Sequence, residues 1–175
     1  MRHFTGFLAT VLLLCSSLVD GHGNGLIGYG QWWYDPECAY SCRAVISSAP
    51  LDCPGMDHDA MDMHHGASPM APCISENSDF LRTLAYCISK RCDPSKVSVS
   101  KIEAYWADQA TGDPALPAMW TYGATLANIT QAPTRVFQTG DMLNYTALLS
   151  DKDYDYQSGF NKHFDWEEMI QSTYV

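Results

Sequence analysis

The sequence predicts a small, mainly α-helical domain held by disulfides, with one long Met/His-rich loop and a loosely ordered C-terminal tail. Three observations predict it. Phe80, Leu81, Leu84, Cys87 and Ile88 recur at helical spacing and form one apolar stripe. Six cysteines (Cys38, Cys42, Cys53, Cys73, Cys87 and Cys92) follow an N-terminal export signal. That even number in a secreted chain reads as three disulfides. Between Cys53 and Cys73, the residues Pro54, Gly55, Gly66, Pro69 and Pro72 break any regular element.

Length and charge bound the rest. The chain has 175 residues and a formal net charge of -10, which fits one small domain. Nucleic-acid binding needs basic patches, so this acidity argues against it. It favours a solvated, secreted surface that attracts cations in general. Arg2 and His3 precede the apolar run from Phe7 to Val19, and Val19, Asp20 and Gly21 form a tolerable cleavage site. Residues 1–21 therefore read as a signal peptide, too short and wrongly flanked for a membrane span. Cys15 leaves with it. No later apolar run approaches the length of a transmembrane helix. Asn128 with Thr130, and Asn144 with Thr146, are N-glycosylation sequons that agree with export.

Taken in order, residues 22–34 are Gly-rich and then aromatic, with Trp32, Trp33 and Tyr34. A first helix starts at Asp35, Pro36 and Glu37, with Asp35 as its N-cap, and ends by Pro50. Cys38 and Cys42 lie one turn apart on one face of it, so both can bridge to one neighbouring region. Their parallel side chains cannot readily bridge each other. Cys53, Cys73, Cys87 and Cys92 remain as partners, among 15 connectivities in all. A zinc site is the rival reading, but oxidising export and the absence of finger spacing among the histidines oppose it.

A second helix runs from about residue 77 to 91, capped by Asn77 or Ser78. A third opens on Ser100 to Glu103 as a capping box, buries Ile102, Tyr105 and Trp106, and stops at Gly112, Asp113 and Pro114. Pro117 opens a short fourth helix whose Met119, Trp120, Tyr122 and Leu126 read as core. The chain thus divides into the signal peptide 1–21, a cysteine-rich helical domain 22–131 and a C-terminal extension 132–175. That extension is polar, with isolated apolar pairs such as Leu148 with Leu149 and Phe164 with Trp166.

The chemistry concentrates at 54–72. Met56, His58, Met61, Met63, His64, His65 and Met70 are interleaved there with Asp57, Asp59 and Asp62. Methionine usually fills cores, but this segment has no periodicity that would bury a Met face. Thioether sulfur suits Cu(I), and imidazole suits copper in both oxidation states. Met61, Met63, His64 and His65 are the expected principal ligands, and Met56, His58 and Met70 the auxiliaries. Copper is favoured, with iron as the alternative. No nucleophile elbow, HExxH or phosphate-binding glycine loop occurs. Nothing resembles a flavin (FAD) or nicotinamide (NADPH) site, so redox turnover would need electrons from elsewhere.

Several ordered motifs resemble the extracellular region of fungal ferric/cupric reductases. They are Gly25 to Gly30, Asp35 to Arg43, Leu84 to Ile88 with Cys92, Ile102 to Trp106, Leu143 to Leu148, and the pair Glu167 and Glu168. The likeness spans nearly all of the chain after the leader. In that family the ectodomain precedes a membrane domain with two haems and a cytoplasmic half that binds FAD and NADPH. Together these parts reduce Fe(III) or Cu(II) chelates for uptake. None of the haem, FAD or NADPH motifs stands in these residues, so the resemblance implies metal handling beside a membrane reductase or transporter, and no catalysis by this chain alone. A second similarity is to fungal eight-cysteine (CFEM-like) extracellular domains that bind haem. The spacings from Cys38 to Cys42 to Cys53, and from Cys87 to Cys92, look like part of that pattern. Two of the eight cysteines are absent; Asp52 or Asp57 stands where the family's axial Asp would be.

The expected function is therefore a secreted copper-binding or iron-binding domain acting in metal reduction, uptake or homeostasis. One alternative is a cysteine-stabilised, metal-free interaction protein. Another is a copper enzyme built on a terminal His22 after cleavage at Gly21, which nothing else in the sequence supports.

Overall fold

The structure, a computed structural model, describes residues 34–53 and 71–173, with side chains described as far as His163. Residues 1–21, expected to be a leader, and the aromatic pair Trp32 and Trp33 lie outside the described residues. Among the described residues six helices form: α1 (Glu37–Val45), α2 (Ala71–Glu76), α3 (Ser78–Arg91), α4 (Val99–Gln109), α5 (Tyr122–Ala127) and α6 (Asp151–Thr173). The described residues contain no strand, only an isolated parallel bridge between Val136 and Leu148. The helical, disulfide-stabilised class expected from the sequence is the class observed. No described helix is long and apolar enough to cross a membrane.

α3 is the central element. Asn77 caps it by accepting from the Phe80 N–H at 2.8 Å, and Lys90 and Arg91 sit in its last turn, where cations complement the helix dipole. Its stripe is fully buried: Phe80, Leu81, Leu84 and Ile88 have no exposed surface. α1 lies against its C-terminal half, joined by Cys38–Cys92 and Cys42–Cys87, with Cα–Cα separations of 5.4 and 5.8 Å. The lower-numbered cysteine of α1 pairs with the higher-numbered one, so the two segments run antiparallel. Ile102, Tyr105 and Trp106 close the core from α4. The Tyr105 hydroxyl donates to the Ala39 carbonyl at 3.1 Å.

Several local expectations change in the folded chain. Pro36 occupies the N-cap of α1 without a side-chain cap. Asp35, expected in that role, pairs instead with Lys101 of α4 at 2.6 Å. α1 ends at Val45, well before Pro50, and the Pro50 carbonyl accepts from Leu143 at 2.9 Å. Ser98, not Ser100, caps α4 by accepting from the Lys101 N–H. Glu103 is then freed from a capping box of its own. Its two carboxylate oxygens accept from the backbone of Tyr122 at 3.1 Å and of Gly123 at 2.9 Å, so it caps α5. α4 stops where expected, with Gly112 at φ +89°, a conformation that favours glycine. A Cβ there would also collide with the Arg43 guanidinium, whose Nε donates to the Ala110 carbonyl at 3.0 Å.

Part of the extension 132–175 packs against the helical core. Residues 132–150 are irregular, but Phe137, Leu143 and Ala147 are buried, and the Ala147 N–H donates to Thr83 of α3 at 2.9 Å. From Asp151 onward the chain is helical, and α6 packs against α1. Among its residues up to His163, Tyr154, Ser158 and Asn161 are buried. Their spacing is helical, yet two of the three are polar, so no apolar stripe announces the contact.

Candidate metal-binding loop and its roots

The seven expected ligands, Met56, His58, Met61, Met63, His64, His65 and Met70, lie outside the described residues. The structure does describe how their segment is tethered. Cys53 and Cys73 form the third disulfide, with Cα atoms 5.5 Å apart and 20 positions apart in sequence. Both cysteines are buried. Each root of the loop is part of the folded body. On the entering side Ile46, Ala49 and Leu51 are buried, and Pro50 is held by Leu143. On the leaving side α2 begins at Ala71, so the last two residues of the expected loop are helical. Pro72 is tolerated there because its missing N–H falls among those that a helix start leaves unpaired. The Ser75 hydroxyl of α2 donates to the Pro72 carbonyl at 2.8 Å, and Ile74 anchors the helix in the core.

This arrangement has a thermodynamic consequence. Closing a loop of this length in the unfolded chain is worth roughly 3 kcal/mol on the chain-entropy account. The bridge spends that entropy when it forms, before any ligand arrives. The two ends of the segment are thereby held together by the bridge itself.

Two methionines outside the loop lie beside these roots. The Met119 N–H donates to the Ser75 carbonyl at 2.9 Å. Met142 directly precedes Leu143, whose N–H binds Pro50 at 2.9 Å. Met119, expected in the core, is instead 41% exposed, and Met142 is 42% exposed. The Trp106 indole donates to the Trp120 carbonyl at 2.8 Å, and the Arg82 guanidinium lies over the Trp120 ring at 5.7 Å. Trp120 is half-buried, its ring facing the Arg82 guanidinium, while Met119 is exposed. No sequence signal marks that choice, because neighbours at the end of an irregular segment share no helical face.

The two sequons are both exposed at their asparagines. Asn128 is the C-cap of α5. Asn144 sits next to Leu143, close to the entering root. Among the described residues no group of three or more His, Cys, Asp or Glu side chains is arranged to hold a metal. No family model, curated protein or solved structure matches this chain.

Proposed function

We propose that this chain is a secreted metal-binding domain that holds copper on the 54–72 loop and presents it to, or takes it from, a membrane metalloreductase or metal transporter. Iron is the alternative cargo. The observation that carries the reading is the pairing of a Met/His-rich segment with a disulfide whose two Cα atoms stand 5.5 Å apart. Softness selects the ion. Thioethers bind Cu(I) well and harder ions poorly, whereas imidazoles also hold Cu(II), so the mixed set keeps an ion through a one-electron change. Buried disulfides and exposed sequons are compatible with export, and the reading of residues 1–21 as a leader supports secretion. The electrons for any reduction come from outside these residues, which carry no flavin, nicotinamide or haem motif.

The test is a competition titration of the mature, secreted chain with Cu(I) under anaerobic conditions, and with Cu(II) and Fe(III) in air. Met61→Ala with Met63→Ala lowers Cu(I) affinity most, and His64→Ala with His65→Ala lowers Cu(II) affinity most. Imidazole binds only when neutral, so Cu(II) affinity falls below about pH 6, near the ordinary histidine pKa. Cu(I) affinity persists there, since thioethers do not titrate. Equal affinity in the native chain and in the fourfold variant overturns the reading and leaves the metal-free interaction protein.

A further inference from the structure

We propose that Asn144 accepts its glycan only before the chain folds, whereas Asn128 remains an acceptor on the folded domain. The inference rests on the export reading and is independent of the copper reading. Both asparagines are exposed, so a glycan on either one stands in water once attached. Exposure of the asparagine does not suffice for attachment. The acceptor is the whole tripeptide, so a transferase must reach the asparagine amide and the threonine hydroxyl together.

The tripeptide at Asn144 is clamped on both sides. Leu143, just before it, is fully buried, and Ala147, just after it, is 1% exposed. The Leu143 N–H donates to the Pro50 carbonyl at 2.9 Å, and the Ala147 N–H donates to the Thr83 hydroxyl of α3 at 2.9 Å. The two inner residues are engaged as well. The Arg135 guanidinium lies 3.7 Å from the centroid of the Tyr145 ring, and the Tyr145 hydroxyl donates to Asp141 at 3.4 Å. The Thr146 hydroxyl, which the transferase must read, is half-buried and faces the Asp79 carboxylate at 3.5 Å. Lifting this tripeptide into an enzyme exposes Leu143 and Ala147 and breaks both backbone anchors. An opening of that size is rare in the folded state.

Asn128 stands differently. It is the C-cap of α5, a helix of 6 residues. Its N–H donates to the Ala124 carbonyl at 3.1 Å, and the Ile129 N–H donates to the Leu126 carbonyl at 3.1 Å. Ala127, Thr130 and Gln131 around it are exposed. Presenting this tripeptide needs only the fraying of one helix end, which lies at the low-energy limit of local opening.

The step itself is glycosyl transfer. The asparagine side-chain nitrogen forms a bond to the anomeric carbon of the sugar. The bond from that carbon to the pyrophosphate of a polyprenyl donor breaks, and the pyrophosphate leaves with the electron pair. One amide proton passes to a base of the transferase.

The experiment takes the full mature chain made without glycan and compares two forms, one folded and oxidised, the other reduced, alkylated and unfolded. Each is given a purified oligosaccharyltransferase and a polyprenyl-pyrophosphate oligosaccharide, and occupancy at each asparagine is followed by peptide mass spectrometry. The unfolded chain is modified at both sites. The folded chain is modified at Asn128, and the rate at Asn144 relative to Asn128 falls about tenfold or more. Thr83→Val removes the acceptor for Ala147 without touching the tripeptide, and it raises Asn144 occupancy in the folded chain, with circular dichroism checking the helices. Equal relative rates in the two forms overturn the inference, as does a folded Thr83→Val chain in which Asn144 stays as slow as before. Where Thr83→Val does not fold, the comparison of the two native forms decides alone. Modification of neither site in the unfolded chain removes the sequons as acceptors and the inference with them. Failure of the chain to leave a secreting host overturns the export reading alone, since the rates are measured on purified chain.

Discussion

The Asn161 side-chain amide donates to the Ser41 hydroxyl at 2.9 Å across 120 positions of sequence, and both residues are buried. Ser41 passes the chain on, donating to Glu37 one turn earlier at 2.6 Å. This polar seam joins α6 to α1, and through the two disulfides of α1 it reaches the core. A buried donor without a partner costs about 1–3 kcal/mol. Ser41→Ala is therefore expected to destabilise the fold by that amount, because it orphans the Asn161 amide. Adding Asn161→Ala recovers part of the loss. The check is a double-mutant cycle on denaturant midpoints; effects within about 0.5 kcal/mol, normal for exposed positions, would mark α6 as peripheral.

Glu103 offers a second test. It bridges from α4 to two backbone N–H groups at the start of α5, while Thr121 satisfies a third at Ala124. Losing such a cap costs about 1 kcal/mol. Glu103→Ala should lower the thermal midpoint and speed amide exchange at Tyr122 and Gly123, with Glu103→Gln intermediate. Faster exchange at the N–H groups of α4's own first turn would restore the capping-box assignment.

Alkaline stability follows from the buried phenols. Burial pushes Tyr105 far above the ordinary value of 10.0. Burial first, and then the Glu37 carboxylate, push Tyr154 up to about 12, against the pull of Arg91, whose guanidinium lies 4.5 Å over the ring. A raised phenol pKa means that the folded state holds the proton more tightly than the unfolded state. The associated stability is complete below pH 10, and falls as pH rises from there through about 12. Circular dichroism and phenolate absorbance should change together in that window. Phenolate signals from Tyr105 and Tyr154 at ordinary tyrosine pKa, with the fold intact, would contradict this.

The disulfides are predicted by peptide mapping to be Cys38–Cys92, Cys42–Cys87 and Cys53–Cys73. Cys53→Ser with Cys73→Ser should cost roughly 3 kcal/mol, and Cys42→Ser with Cys87→Ser, which close a longer loop, roughly 4 kcal/mol before packing losses. The first pair should keep its helical content and bind copper more weakly, because the ion must then close the loop itself. Unchanged copper affinity in that variant would detach the bridge from the proposed site.

Much of the helical core was legible without coordinates. The stripe from Phe80 to Ile88, the Asn77 cap and the buried trio Ile102, Tyr105 and Trp106 all stand where the pattern places them. The side-chain types between Cys53 and Cys73 are a matter of sequence alone, since softness belongs to the side chain and not to its surroundings. The tethering of that segment, and the exposed methionines at its roots, were not.

Apolar periodicity by itself determined that α3 and α4 are helices and which faces they bury, because a stripe must leave water whatever it meets. The six cysteines from Cys38 to Cys92 pointed to bridges. Only the tertiary structure decided which cysteines pair, that Glu103 caps a neighbouring helix, and that a polar C-terminal segment belongs to the domain. Those outcomes depend on which surfaces become neighbours. A buried polar residue such as Asn161 looks like an exposed one in sequence until its hydrogen-bond partner, 120 positions away, is in place.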